Sequence, residues 1–178
     1  MPSYVAFLRA INLGATRKFP KEDIRAAVEA AGGTDVETYI NTGNVRFTST
    51  LRSRPKVEAA LEKAFLADRG FAVPTVVLTL AELAAVAADA EELAAERPGD
   101  GRHYVSLLKE TPSQAAAGQA EDLSSEAERV VVRGRAAHLM LGENYRDATL
   151  DNAVVEKLLG VATNRRDTVI IAMAKKWC

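Results

Sequence analysis

The residues "YVAFLR" at positions 4–9 recur as "YVSLLK" at 104–109: tyrosine, valine, a small residue, an apolar residue, leucine and a base. Each copy is a continuous apolar run of the kind that forms a buried strand. The two copies part ways immediately after the strand. The first leads through Asn12 and Gly14 into a basic loop ending at Lys18, and Pro20 then suits the first position of a helix. The second runs straight into Thr111-Pro112-Ser113-Gln114, a helix start with Thr111 as cap and Gln114 as the reciprocal residue.

The elements around the two strands also repeat. In the first half Ile24, Ala27, Val28 and Ala31 fall at helical spacing, and Gly32-Gly33 ends that helix. "VETYI" and "VRFTS" flank Asn41-Thr42-Gly43-Asn44, which reads as a hairpin turn. A helix from Pro55 to Arg69 stops at Gly70, and "TVVLT" at 75–79 is a further strand. Thr79 and Glu82 have capping-box spacing, so an Ala-rich helix begins there and fades into the breaker at 98–101.

After the strand from His103 and the helix that starts at Thr111-Pro112, "RVVVRGRAAHLML" at 129–141 predicts a hairpin turning at Gly134. Thr149 then caps a helix running to Leu159, which Gly160 ends. Strand, helix, hairpin, helix therefore occurs twice, and duplication of one α+β unit is the economical account. The expected organisation is a subdomain over 1–79, a connecting helix and linker over 80–102, and a second subdomain over 103–178. The segment from Thr163 to Lys176 carries mixed signals. Val169-Ile170-Ile171 favours a strand, whereas Ile170, Met173, Ala174 and Trp177 share a helical face; a helix is the expectation.

Bulk properties narrow the function. No apolar stretch nears the ~20 residues of a bilayer span, which excludes a membrane partner. The N-terminus reads as a strand rather than a signal peptide, and Cys178 is the sole cysteine, so neither a disulfide nor a thiolate metal cluster is available within the chain. A cytoplasmic protein is the expectation. The 23 basic and 24 acidic residues leave a net charge of −1, against a dedicated nucleic-acid binder. The bases are unevenly spread, with Arg9, Arg17, Lys18, Lys21 and Arg25 near the start and Arg165, Arg166, Lys175 and Lys176 near the end.

In a βαββ unit the first two strands run parallel and the third returns between them, so the end of the first strand lies beside the hairpin tip. That places Arg9, Asn12 and the basic loop next to Asn41, Thr42 and Asn44, with a helix N-terminus aimed at the same place. Guanidinium, amides, hydroxyl and helix N-terminus together suit a phosphate or carboxylate. The competing reading is structural: Asn and Thr at a hairpin tip bond their own backbone, and Arg9 pairs with Glu37. His103 and His138 read as satisfied structural histidines without metal-ligand spacing. No acid–base or nucleophilic constellation stands out, and the P-loop, Rossmann and RNA-recognition motifs are missing, so no cofactor is indicated.

The stretches "YVAFLRAINLG", "DVETYINTGNVRF" and "VVEKLLGVATNRRDTV" resemble signatures of the bacterial family of unknown function numbered 1697. The resemblance implies an α+β fold: a tandem duplication of two ferredoxin-like βαββα-type subdomains with antiparallel or mixed sheets. It implies no activity. Arg9, Asn12, Gly14, Tyr39, Asn41, Gly43 and Asn44 match its motifs; Ala10 stands where the family favours glycine, and Thr42 where it favours serine. The C-terminal half departs more. The stretch through Thr149 lacks the family's lysine, and the one containing Arg166 and Asp167 lacks its tryptophan, leaving Arg165 and Thr168 as matches.

The expected function is binding of a small anionic or nucleotide-like ligand by Arg9, Asn12, Gly14, Tyr39, Asn41, Thr42, Gly43 and Asn44, with Arg165 and Thr168 completing the pocket. One alternative is an enzyme on a phosphorylated metabolite, using Asp147 or Asp167. Another is a nucleic-acid-associated module using Arg17, Lys18 and Lys21. The third is an interaction protein pairing through a sheet edge, as in a homodimer.

Overall fold

The computed structural model describes residues 1–96 and 101–178, so the expected breaker at 98–101 lies outside the described residues except for Gly101. The chain divides into two compact units, Met1–Leu83 with Trp177, and Ala84–Lys176 with Cys178. The first contains β1 (Ser3–Leu8), α1 (Lys21–Ala30), β2 (Thr34–Thr38), β3 (Asn44–Thr48), α2 (Arg54–Arg69) and β4 (Thr75–Thr79). Next come α3 (Leu80–Leu93), β5 (Arg102–Leu108), α4 (Gln114–Glu121), β6 (Glu128–Arg133), β7 (Ala136–Leu141), α5 (Asn152–Leu159), β8 (Ala162–Arg166) and α6 (Asp167–Trp177).

The strand order is β2-β3-β1-β4 in one sheet and β6-β7-β5-β8 in the other, with every pairing antiparallel. Each is the βαββαβ order of a ferredoxin-like unit. The duplication extends to single backbone bonds. Leu8 N–H donates to Gly43 O (2.8 Å) and Arg9 N–H to Pro74 O (2.9 Å). In the second unit Leu108 N–H donates to Arg135 O (2.9 Å) and Lys109 N–H to Val161 O (2.9 Å).

One face of each sheet is covered by two helices. In the first unit Tyr4, Ala6 and Leu8 alternate inward from β1 and meet Ile24 and Val28 of α1 and Val57, Leu61 and Phe65 of α2. The i, i+4 spacing of the α2 residues makes a single apolar stripe, and each fully buried Phe or Leu contributes about 2–3 kcal/mol. In the second unit Leu108, Val130 and Leu139 meet Val155 and Leu159 of α5 and Ala120 of α4. Carboxylates protect the outer strands: Glu58 and Glu62 of α2 accept from Val77 and Thr75 N–H, and Glu156 of α5 accepts from Ala162 N–H.

Several expected boundaries hold. Thr79 and Glu82 form the capping box, with Thr79 N–H to Glu82 Oε2 at 2.8 Å and Glu82 N–H to Thr79 Oγ1 at 3.1 Å. Gly70 ends α2 in the left-handed conformation, φ 75°.

Others are corrected. Pro20 is the N-cap of α1 rather than its first residue. Ser113, not Thr111, caps α4 by accepting from Ala116 N–H. Asp151, not Thr149, caps α5, because Glu128 holds both Thr149 N–H and Oγ1–H at 2.6 Å. The expected helix from Thr163 begins only at Asp167; Thr163–Arg166, which carry none of the apolar residues of the helical face, pair with β5 as part of β8. Among the described residues no helix is long and apolar enough to cross a membrane.

Candidate functional site

In the first unit, the end of β1 and the β2–β3 turn are neighbours. Leu8 N–H bonds Gly43 O, and Asn12 Nδ2 donates to Asn41 O at 3.0 Å. The loop between β1 and α1 is built from unusual backbone: Ala10 (φ 55°), Asn12 (φ 55°), Gly14 (φ 59°) and Arg17 (φ 53°) all adopt the left-handed region. At the facing tip Ile40 does the same, φ 49°, which is a true outlier for a β-branched side chain. Each such non-glycine residue costs about 1–2 kcal/mol, so the surrounding contacts must impose the shape.

Asn12 is one of those contacts. Its Oδ1 accepts from Phe19 N–H (2.8 Å), and its Nδ2 donates to Phe19 O (3.1 Å) as well as to Asn41 O. Arg17 is another: its guanidinium donates to Ala10 O and Ala72 O and lies 4.6 Å from the centre of the Phe71 ring. Phe19 is fully buried edge-on to Phe65, with ring centroids 5.3 Å apart, and anchors the end of the loop in the core. Arg69, at the end of α2, completes the frame by donating to Lys18 O (3.3 Å) and pairing with Asp23 (3.1 Å). Neither Arg17 nor Arg69 was selected as a framing residue from sequence, since nothing local marks an arginine that will bind carbonyls 55 or 51 residues away.

The hairpin tip is equally self-contained. Asn44 is buried, its Nδ2 donating to Tyr39 O (3.0 Å) and Thr42 Oγ1 (2.8 Å). A hydroxyl at 42 serves that bond whether serine or threonine supplies it. Tyr39 N–H returns to Asn44 O at 3.0 Å. Gly43 is required twice over, by φ 79° and because a Cβ there would lie 2.8 Å from Leu8 Cβ and 2.9 Å from Ile11 Cδ1. Gly14 is exposed, with open space around it.

What this frame leaves facing outward is a groove of about 400 Å³ lined by Asn12, Lys18, Pro20, Lys21, Glu22 and Asn41. Pro20 provides no side-chain cap, so the first N–H groups of α1, from Lys21 to Asp23, point out of the helix end unsatisfied by it. Lys18, Lys21 and Asn41 are exposed. Lys21 also approaches Glu22 at 4.0 Å, an exposed pair worth little. Two ammonium groups against one carboxylate, with the positive helix end behind them, give the groove an anion-attracting field. Arg9, half-buried after β1, is not among the lining residues.

Arg165 and Thr168 belong to the second unit. Arg165 is buried on β8, its Nη1 donating to Thr163 Oγ1 (2.9 Å) and Asn164 O (2.7 Å), and burial lowers its guanidinium to about 10. Thr168 is exposed in the first turn of α6. Asp167 is buried, its carboxylate accepting from Thr168 N–H and lying 3.7 Å from His103 Nδ1. Asp147 is exposed in a short turn. The two histidines, read separately from sequence, contact each other: His103 Nε2 and His138 Nδ1 are 3.0 Å apart and both rings are fully buried. Among the described residues no cluster of three or more His, Cys, Asp or Glu side chains is placed to hold a metal ion.

Fold and groove define a duplicated ferredoxin-like protein whose two units differ in the loop after the opening strand. The model of the family described as "Protein of unknown function (DUF1697)" matches residues 1–138, and the chain belongs to that family. A solved structure of a conserved bacterial protein from Streptococcus pneumoniae is similar, with a TM-score of 0.74 and 22% identity, over 98% of this chain and 97% of that one. At that identity the likeness concerns the fold. No curated protein matches the sequence.

Proposed function

We propose that the protein binds a small anionic or nucleotide-like ligand in the groove of its first unit. The observation that carries this reading is convergence: a strained loop, a strained hairpin tip and an uncapped helix N-terminus meet at one concave, cation-lined place. Lys18 and Lys21 would supply the charge, the first N–H groups of α1 the directional donors, and the Asn41 amide the orientation. Asn12, Gly43 and Asn44 would act by holding the walls rather than by touching ligand. Leu13 (56% exposed) and Ile40 (47% exposed) adjoin Asn12 and Asn41 and offer apolar edges that a nucleotide base would use.

Binding is favoured over acid–base chemistry because, among the described residues, Glu22 is the one carboxylate lining the groove, and it is exposed beside Lys21. A nucleic-acid role is weakened because Arg17 is spent on Ala10 O, Ala72 O and Phe71. The same reading assigns the protein to the cytoplasm, where nucleotides and phosphorylated metabolites are abundant.

Thermal unfolding with millimolar inorganic phosphate, AMP, ATP and citrate tests it. At least one of these anions should raise the wild-type midpoint by several degrees, and the Lys18→Glu/Lys21→Glu double variant should lose that shift while keeping its own midpoint. Flat midpoints across the panel, or an undiminished shift in the double variant, would remove the groove as the site.

A further inference from the structure

Three properties of the groove in the first unit narrow its ligand beyond a negative charge. The first is the balance of charge and room. Lys18 and Lys21 against Glu22, with about half a charge from the α1 N-terminus behind them, leave the groove about one and a half charges positive. A phosphate monoester carries about −1.5 to −2 near neutral pH and matches this, whereas a triphosphate exceeds it. The volume of about 400 Å³ lies at the small end of ligand sites and favours one nucleotide over a dinucleotide.

The second is the apolar border. Leu13 and Ile40 adjoin Asn12 and Asn41, the two residues that tie the loop to the hairpin tip through the Asn12 Nδ2–Asn41 O bond. Leu13 is fixed by Thr16, whose N–H (3.2 Å) and hydroxyl (3.1 Å) both donate to Leu13 O. An exposed leucine needs no explanation by itself. Ile40 does. It is a β-branched residue in the left-handed region, φ 49°, yet it is too exposed to repay that strain by core packing. Glycine would make the same turn without strain. A bare phosphate or a carboxylate has no use for the isoleucine side chain, whereas a flat apolar ring has.

The third is a spare amide. Asn12 spends both of its polar atoms on the backbones of Phe19 and Asn41. The Asn41 side chain is exposed and makes no hydrogen bond among the described residues. A free carboxamide presents a donor beside an acceptor, which complements the N7 acceptor and the N6 amino group of adenine; guanine presents two acceptors at the same edge. We propose that the ligand is an adenine mononucleotide, an inference that rests on the anion groove of the first unit. Its phosphate lies between Lys18, Lys21 and the first N–H groups of α1, its ring against Leu13 and Ile40, and its N6 and N7 edge on Asn41.

Calorimetric titration of the full chain with AMP, GMP, ribose 5-phosphate and inorganic phosphate, at constant ionic strength, tests this. AMP should bind tightest, with GMP and ribose 5-phosphate each about tenfold weaker. Ile40→Gly is the decisive variant. Glycine adopts φ 49° freely, so the unfolding midpoint should hold or rise, while AMP affinity falls about tenfold and phosphate affinity stays as it was. Leu13→Ser should give the same selective loss if the hairpin tip does not tolerate glycine, and Asn41→Ala should bring AMP and GMP together. AMP binding no tighter than ribose 5-phosphate, or undiminished in both Ile40→Gly and Leu13→Ser, overturns the adenine assignment. The anion groove survives that outcome if Lys18→Glu/Lys21→Glu still abolishes phosphate binding. If none of the four compounds binds the wild type, both readings fall.

Discussion

Gly43 and Arg135 occupy the same backbone position in the two units: each carbonyl accepts the N–H of the last residue of the opening strand. Their side chains have opposite fates. Around Gly43 the loop after β1 folds back, and Leu8 and Ile11 leave no room for a Cβ. Around Arg135 there is no such loop. Its guanidinium occupies that place, donating to Leu108 O at 3.1 Å and Lys109 O at 3.1 Å. One unit covers its strand end with a side chain. The other covers it with twelve residues of strained chain, from Arg9 to Pro20, that carry a groove on their outer side. A single arginine is enough to satisfy the carbonyls of a strand end, and the longer solution in the first unit is the ground on which the proposed binding groove is placed there.

The sharpest way to break this comparison is Gly43→Ala. If the two positions differ as described, the methyl group should cost about 3 kcal/mol, from left-handed strain together with overpacking against Leu8 and Ile11. Urea unfolding at fixed temperature measures it. A change below about 0.5 kcal/mol, the ordinary level for a surface position, would mean that the loop yields and is no frame.

Asn12→Ala is expected to be next in size. It removes three hydrogen bonds to backbone groups of Phe19 and Asn41, a loss of about 2 kcal/mol in a part-buried setting. It should also abolish any anion-induced thermal shift, because the groove wall goes with it, even though the amide's polar atoms are already occupied by backbone. Asn41→Ala, at an exposed position, should weaken the anion effect with almost no change in stability. If both variants kept the thermal shift, the bracket would be structure without consequence for the groove.

The duplication was legible because it rests on local signals. Apolar strands, the Thr79–Glu82 box and glycine stops act over a few residues, and strands and stops recur in both halves. The meeting of β1's end with the hairpin tip was legible too, since handedness and strand order leave little choice. The roles within the site were not. Asn12 and Asn44 look from sequence like ligand contacts, yet their amides are taken by the carbonyls of Phe19, Asn41 and Tyr39, partners that only the folded loop brings close. Lys18 and Lys21 stand in the sequence as part of a basic loop, open to an anion or to a nucleic acid alike, and their place on the groove depends on Asn12 folding the loop beside the start of α1. Most of β8 looks from sequence like the start of the last helix, because the strand it pairs with lies more than fifty residues earlier, where local periodicity carries no information.

The smallest expected effect tests the strain itself. Ala10 has φ 55°, a conformation that glycine adopts without penalty, and it stands where the family favours glycine. Ala10→Gly relieves about 1–2 kcal/mol of left-handed strain and returns about 0.4–1 kcal/mol of freedom to the unfolded chain. The net should be a stabilisation of about 0.5–1 kcal/mol, seen as a higher urea midpoint at unchanged slope. The Ala10 carbonyl still receives Arg17 Nε–H after the change, so the loop keeps its path and the groove its lining. Destabilisation would instead show that the methyl group contributes packing worth more than the strain, and that the loop is held by apolar contact rather than by the Asn12 and Arg17 brackets.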